Sequence, residues 1–486
     1  MCAERLCPDH LHHAPDRLFR LGAIRGTQRF QIGKRAFDDK RKGVSRCAKG
    51  AADRSKRLRL PAGDLRRIGI EVEQMFNRTE CVAIPLDDRP RPAVAGVTQT
   101  VEHLDGTRAL LVEASVPAFG YIAIDKASRP TPPARFTVRR EYLASDEFRI
   151  EFDTHGEIGS LYDARYEREI IAEGASGNQL VLYEDRPMFW DAWDIDPFYL
   201  EKPYPIHDMS EWRVVEEGPL RATVEIVRRF GKSTIRQRIS LWCNSRRIDF
   251  DTEVDWQERQ NLLRVLFPLR LNATRATCEI QFGAVERPTH RNTSWDWARF
   301  EVCAHRWVDL SEGGYGVALM NNSKYGHSLL HNTLGISLLK SAVIPDPQAD
   351  RGVHRFMYSL LPHAGDWREA QVTRRAYELN APLRPVTVMG EIPVEGRSFL
   401  RVESDHVVVE TIKTADDGDG LIVRMYEAHN QRGQVRLDFG RPVESAVEVD
   451  LLERETGPVT VDGQTVRCNV RPFEIKTIRV RLLGQG

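Results

Sequence analysis

A two-residue alternation of apolar and charged positions runs through most of the chain. Ile248, Phe250, Thr252, Val254 and Trp256 alternate with Arg247, Asp249, Asp251, Glu253 and Asp255. That period predicts a strand in an antiparallel sheet with one face in the core and one in solvent. Phe148, Ile150 and Phe152 repeat the pattern, as do Ala222, Val224 and Ile226, and Ile235, Ile239 and Leu241. Short β-type runs occupy residues 97–100, 109–114 and 120–124, with Asp105-Gly106 as a hairpin signal between the first two. Further strands are predicted at 406–411, 435–439 and 477–482, with turns at Asp417-Gly418, Asp419-Gly420 and Asp462-Gly463. Residues 367–379, rich in Arg, Glu and Ala, read as a short helix. The fold class is therefore mainly β, built of antiparallel β-sandwich domains.

Composition adds a boundary. The 486 residues balance 70 basic against 70 acidic side chains, yet residues 1–70 hold 18 basic and 7 acidic ones. This first segment shows no apolar period. It reads either as a disordered basic arm or as non-homologous text. The rest carries a net −11, which argues against a nucleic-acid-binding core. Pro130, Pro132 and Pro133 mark a stiff linker. The expected division is 1–70, a small β domain at 71–128, a large β super-sandwich at 136–380 and a C-terminal β-sandwich at 381–486. No apolar run reaches the ~18 residues a membrane span requires. The first 25 residues lack the apolar stretch of a secretory signal. Eight cysteines without a CxxC pair suit reduced thiols, so a cytoplasmic protein without membrane or nucleic-acid partners is expected.

Candidate chemistry concentrates in YEDRPMFWDAWDIDPFY, residues 183–199, which holds five acids among its aromatic rings and prolines. Sugars are bound by aromatic faces over their C–H surfaces and by carboxylates that accept from their hydroxyls. A carbohydrate-facing loop is one reading. A structural loop packing Trp190 and Trp193 on a neighbouring domain is the other. Asp191, Asp194 and Asp196 could form a glycosidase carboxylate pair or a calcium site, but sequence neighbours do not establish a separation of about 5 Å across a sugar, and EF-hand spacing is absent. ERPTHRNTSWDW, residues 286–297, is a second polar-aromatic segment, with Arg287 and His290 as candidate contacts. His363 reads as a satisfied structural histidine. The chain contains no HExxH, GxSxG, P-loop or strand-following GxGxxG motif.

Five segments together resemble one family: GNQLVLYEDRPMFWDAWDID (177–196), ERPTHRNTSWDWARFEVCAHRWVDLSE (286–312), GYGVALMNNSKYGHS (314–328), PDPQADRGVHRFMYSLLPHAGDW (345–367) and RPFEIKTIRVRL (471–482). They resemble the α-mannosidases of glycoside hydrolase family 38, of the cytosolic and vacuolar type, from about Met75 to Leu483. The resemblance implies the family's C-terminal region, with a large galactose-mutarotase-like super-sandwich and smaller β-sandwiches. It implies retaining hydrolysis of terminal α-mannosides by the intact enzyme, through an aspartate nucleophile and a zinc ion in a catalytic domain. The family's HxDxxW-type zinc motif and nucleophile segment do not appear here, so this chain alone is expected to hold no catalytic or metal residues and to be inactive. The resemblance assigns Tyr183, Trp190, Asp191, Trp193, Asp194, Arg287 and His290 a supporting, substrate-binding role at the rim of the sugar pocket. The expected partners are α-mannosides or oligosaccharides, and a catalytic domain or separate catalytic chain. The alternative is a non-catalytic mannoside-binding module or docking subunit.

Overall fold

The computed structural model describes residues 67–72, 76–86, 96–123, 136–388 and 396–484. Of the basic segment 1–70, residues 1–66 lie outside the described residues, as does the proline linker at 129–135, while residues 67–70 are not disordered but open the strand Arg67–Val72, paired on both sides. The described secondary structure is overwhelmingly antiparallel strand, as the alternation predicts.

Three sheets share the largest core. A nine-stranded sheet orders its strands Met209–Glu217, Arg221–Phe230, Ser233–Trp242, Ser245–Trp256, Gly352–Ala364, Tyr315–Asn321, Trp307–Glu312, Arg275–Ile280 and Gly283–Pro288. A six-stranded sheet has Gln179–Glu184, Asn261–Pro268 and Thr333–Lys340 at its centre. A five-stranded sheet runs from Thr137–Arg139 to Arg168–Glu169. Phe148, Ile158, Val224, Ile239, Phe250, Phe267, Ile336 and Tyr358 come from all three and pack into one buried cluster. Sheet faces that each bury alternate side chains against the others are the physical content of a super-sandwich.

A second core forms between a four-stranded and a five-stranded sheet over residues 401–482. Val423, Met425, Val435, Leu437, Val466, Ile478 and Val480 fill it. The predicted turns are present there. Gly418, Gly420 and Gly463 all take positive φ, which glycine adopts without a Cβ clash. A third, smaller core lies beneath the three-stranded sheet Arg78–Pro85, Arg108–Val116 and Thr98–Glu102. A separate four-stranded sheet draws on distant chain segments: Arg384–Val388, Arg67–Val72, Gly120–Ala123 and Arg397–Ser398.

Two sequence expectations change. The charged face of Ser245–Trp256 is not uniformly in solvent, because Asp249 is only 2% exposed. Its carboxylate accepts from Arg247 Nε (2.7 Å), Ser359 Oγ (2.6 Å) and Trp242 Nε1 (2.8 Å). On the same sheet Glu225 is buried among Arg213 and Arg238. The small sheet covers this face: Gln99 Nε2 donates to the Arg221 carbonyl at 2.8 Å, and Arg238 donates to the Glu102 carbonyl. The second change is the helix, which spans Val372–Asn380 and begins five residues later than expected. Gln371 has φ 55°, a left-handed conformation that interrupts helical geometry. Before it, Asp366 Oδ1 accepts from the Arg368 and Glu369 amides and makes a turn instead. That turn buries Trp367 against Trp307, with ring centroids 5.1 Å apart.

Candidate functional site

The aromatic-acidic segment leaves the six-stranded sheet after Gln179–Glu184 and rejoins it at Pro203–Pro205. Its two ends are fixed by burial. Tyr183, Val181, Tyr199 and Leu262 form an apolar cluster, and the Tyr183 and Tyr199 rings meet edge to face at 5.0 Å. Between these ends the chain projects outward. Trp190 is 69% exposed and Trp193 73%, and Met188, Phe189 and Phe198 are exposed as well. Exposed apolar side chains in this density mark a surface that meets something else.

The loop is tied down although its rings are exposed. Asp191 Oδ2 accepts from the amides of Val343 (2.6 Å) and Ile344 (3.2 Å), bridging to a segment some 150 residues away. Asp196 Oδ2 accepts from the Met188 amide at 2.8 Å and closes the loop on itself. Asp194 Oδ1 accepts from the adjacent Ile195 amide at 2.9 Å. Trp190 sits at φ 58°, and its carbonyl accepts from the Trp193 (2.7 Å) and Asp194 (2.9 Å) amides. A bulky residue held left-handed costs about 1–3 kcal/mol, which surrounding contacts must offset. The Trp190 and Trp193 rings consequently stand edge to face at 6.3 Å.

A buried polar network supports the loop from below. Arg264, fully buried on the apolar strand Asn261–Pro268, pairs with Glu301 and with the Tyr199 hydroxyl. Tyr199 donates to Glu301 Oε1 at 2.6 Å, and Arg264 Nη2 donates to Ser328 Oγ at 2.8 Å. Burial pushes the Tyr199 hydroxyl pKa far above its ordinary value, so it stays a donor. Asp185, at the loop entrance, pairs with Lys340, and burial raises its pKa above the ordinary carboxylate value. Sequence reading missed Arg264, Glu301 and Lys340. The available signal was Arg264 itself, a charge inside the otherwise apolar run NLLRVLF.

The second segment is built separately. Arg287 lies on the edge strand Gly283–Pro288 and donates from Nη2 to the Cys303 carbonyl at 3.0 Å. His290 Nδ1 stands 3.6 Å from Asp296 Oδ2. Asp296 in turn completes a capping box with Thr293 around the short turn Ser294–Trp297. Phe300 touches Tyr199 at 6.4 Å between ring centroids, so the two segments meet through Tyr199, Phe300 and Glu301. Among the described residues, no hydrogen bond or ring contact joins Arg287 or His290 to Trp190, Asp191, Trp193 or Asp194. Tyr183 is 5% exposed and lies under the loop.

The arrangement can present aromatic faces, and its carboxylates act mainly as loop anchors. Asp191, Asp194 and Asp196 accept from separate backbone amides, those of Val343 and Ile344, of Ile195 and of Met188 respectively. Among the described residues, no group of three or more His, Cys, Asp or Glu side chains is placed to hold a metal ion. His363, buried, is held by Asp309 through a 2.7 Å contact at Nε2 and is structural. No helix of the described residues is long and apolar enough to cross a membrane.

Stacked antiparallel sandwiches carrying an anchored, ring-bearing loop define the described residues as a mainly β sandwich protein. Comparison with known proteins specifies which. Residues 143–348 match the glycosyl hydrolases family 38 C-terminal domain, and residues 406–478 match the glycosyl hydrolases family 38 C-terminal beta sandwich domain. The chain belongs to glycosyl hydrolase family 38 and carries its C-terminal domains. It is 39% identical over 379 residues to alpha-mannosidase 2C1 of Homo sapiens, covering 75% of this chain and 36% of that protein. It is 39% identical to alpha-mannosidase G of Dictyostelium discoideum, covering 68% of this chain and 31% of that one. The chain thus spans about a third of the length of these curated relatives. An alpha-mannosidase from Enterococcus faecalis V583 shares the fold, with a TM-score of 0.68 at 16% identity over 87% of this chain and 56% of that one.

Proposed function

We propose that this chain is the C-terminal β region of a retaining α-mannosidase that removes terminal α-mannose from oligosaccharides in the cytoplasm, and that its aromatic loop contributes to the rim of the sugar pocket. The reading keeps domains at 71–128, 136–380 and 381–486, with the sheet that pairs Arg67–Val72 with Arg384–Val388 crossing the first and last of these bounds. The observation that carries it is the pair of indoles Trp190 and Trp193, exposed on a loop that Asp191 and Asp196 hold in place. Rigid exposed indoles cover sugar C–H faces at low entropic cost. Asp194, whose side chain is exposed, and Arg287 and His290 on the neighbouring segment would supply polar contacts. Tyr183 would position the loop from beneath. Zinc, which the family resemblance implies, has no fitting ligand set among the described residues, and this reading assigns both the zinc and the nucleophile to a catalytic domain or a separate chain. This chain alone is expected to be inactive.

The test pairs activity with binding. The purified chain is assayed on a chromogenic aryl α-mannoside with and without zinc, and no turnover is expected. Methyl α-mannoside should bind saturably, and the double variant Trp190→Ala, Trp193→Ala should lose that binding. Zinc-dependent turnover would overturn the assignment of catalysis elsewhere. Unchanged binding in the variant would overturn the role of the loop.

A second reading is favoured by the breadth of the patch. Met188, Phe189 and Phe198 extend the exposed apolar surface beyond the two indoles, which suits docking of a catalytic domain or chain. In that case mannoside binding to this chain is absent, and the same double variant weakens association with the catalytic part.

A further inference from the structure

Cys81 and Cys243 are 162 residues apart in sequence, yet their sulfurs stand 3.7 Å apart. Cys81 lies on the strand Arg78–Pro85 of the small three-stranded sheet. Cys243 opens the two-residue turn that joins Ser233–Trp242 to Ser245–Trp256 in the nine-stranded sheet. Groups other than the sulfurs also hold this contact in place. Gln99 Oε1 accepts from the amides of Leu220 and Arg221, both at 2.9 Å, and Asn244 Nδ2 donates to Glu113 Oε1 at 3.0 Å. Cys81, Ala83, Trp242 and Cys243 all pack around Val101, Leu111 and Leu220. Two sheets therefore present the two thiols to each other.

Cys243 is also reachable. Cys243 lines a cavity of about 680 Å³ whose wall includes Arg246, Arg247 and His363, large enough to admit a small solute. The Cys81 thiol holds the Cys243 thiol below its ordinary pKa by hydrogen bonding to it, and the same contact with burial raises Cys81. Cys243 lines the cavity and Cys81 is not among its lining residues, so Cys243 is the thiol that meets a solute first. Cys303 is exposed and Cys278 buried, so the chain carries its own comparison thiols.

We propose that Cys81 and Cys243 form a reversible oxidation site, a dithiol that peroxide converts to a disulfide clamping the small sheet to the large one. The Cys243 thiolate attacks one peroxide oxygen and the O–O bond breaks. Hydroxide leaves and takes up a proton, giving a sulfenic acid and water. The Cys81 sulfur loses its proton and attacks the Cys243 sulfur. The S–O bond breaks and a second water departs. Two electrons pass from the two thiols to one peroxide, and a thiol reductant restores both.

The test uses the full chain treated with hydrogen peroxide, blocked with N-ethylmaleimide, digested and mapped by mass. The expected product is a linked peptide pair containing Cys81 and Cys243, about 2 mass units lighter than the two reduced peptides and released by dithiothreitol. Cys81→Ser and Cys243→Ser should each lack it, and in Cys81→Ser the remaining Cys243 should oxidise further to sulfinic acid. The oxidised wild-type chain should melt several degrees above its reduced form, with no such rise in either variant. Unchanged alkylation of both cysteines after peroxide, while Cys303 is consumed, would overturn the site. A linked pair with no rise in melting temperature would overturn the clamp.

Discussion

Glu157 shows how one buried side chain sets a pH dependence. It is 6% exposed, and its Oε1 lies 3.2 Å from His207 Nε2, whose ring stacks on His155 at 4.0 Å. Burial, reinforced by the neighbouring Asp153 charge, pushes its pKa up to about 7. A carboxyl group whose folded pKa is raised holds its proton more tightly in the folded state. Its contribution to stability is full below about 4.5 and is lost as pH rises through about 7. Glu157→Gln keeps a neutral polar group in the same space. The variant is expected to exceed the wild type by about 1–3 kcal/mol above neutral pH, with the gap closing toward acid. Urea unfolding across that range measures it. A constant difference at all pH values would mean that Glu157 titrates normally.

At the scale of the element, the loop between Gln179–Glu184 and Pro203–Pro205 combines exposed rings with buried anchors. Its entrance rests on Asp185 and Lys340, whose side chains are 1% and 19% exposed. Removing one partner of such a pair leaves an uncompensated charge, at a cost of about 3–5 kcal/mol. Lys340→Met is therefore expected to destabilise the chain by roughly that amount and to speed proteolysis within 186–198. Trp190→Ala and Trp193→Ala, at exposed positions, are expected to stay within about 0.5 kcal/mol of wild type. Chemical denaturation combined with limited proteolysis separates the two behaviours. Destabilisation by the tryptophan variants would show that the rings pack on the chain itself.

For the whole molecule, the consequence of the exposed loop is association. Phe189, Trp190, Trp193 and Phe198 are each more than 60% exposed, and Trp295 stands 77% exposed on the neighbouring segment. Hydrophobic surface of this extent drives contact between copies when its natural cover is not supplied. The isolated chain is expected to self-associate in sedimentation velocity and to bind an exposed-patch dye. The Trp190→Ala, Trp193→Ala double variant should shift it toward monomer. A monodisperse wild-type monomer without dye binding would count against an uncovered interface.

The sequence by itself determined the strands, the glycine turns and the segment in which the aromatic rings gather. These follow from local rules: a period of two writes a half-buried strand, and Asp-Gly permits a left-handed turn. The five motif segments likewise carried the family likeness, since they are local text. The tertiary structure alone decided what covers each strand. The charged face holding Glu225 and Asp249 reads as solvent-facing until the small sheet, more than a hundred residues earlier in the chain, is seen to lie over part of it. The helix starts later because Asp366 closes a turn on the Arg368 and Glu369 amides and Gln371 takes a left-handed φ, and that turn sets Trp367 against Trp307. Arg264 showed only as a charge in an apolar run, and its partner Glu301, the Asp185–Lys340 pair and the Cys81–Cys243 contact were invisible for the same reason. Each depends on partners that only the packing of sheets brings together, and no spacing along the chain encodes that distance.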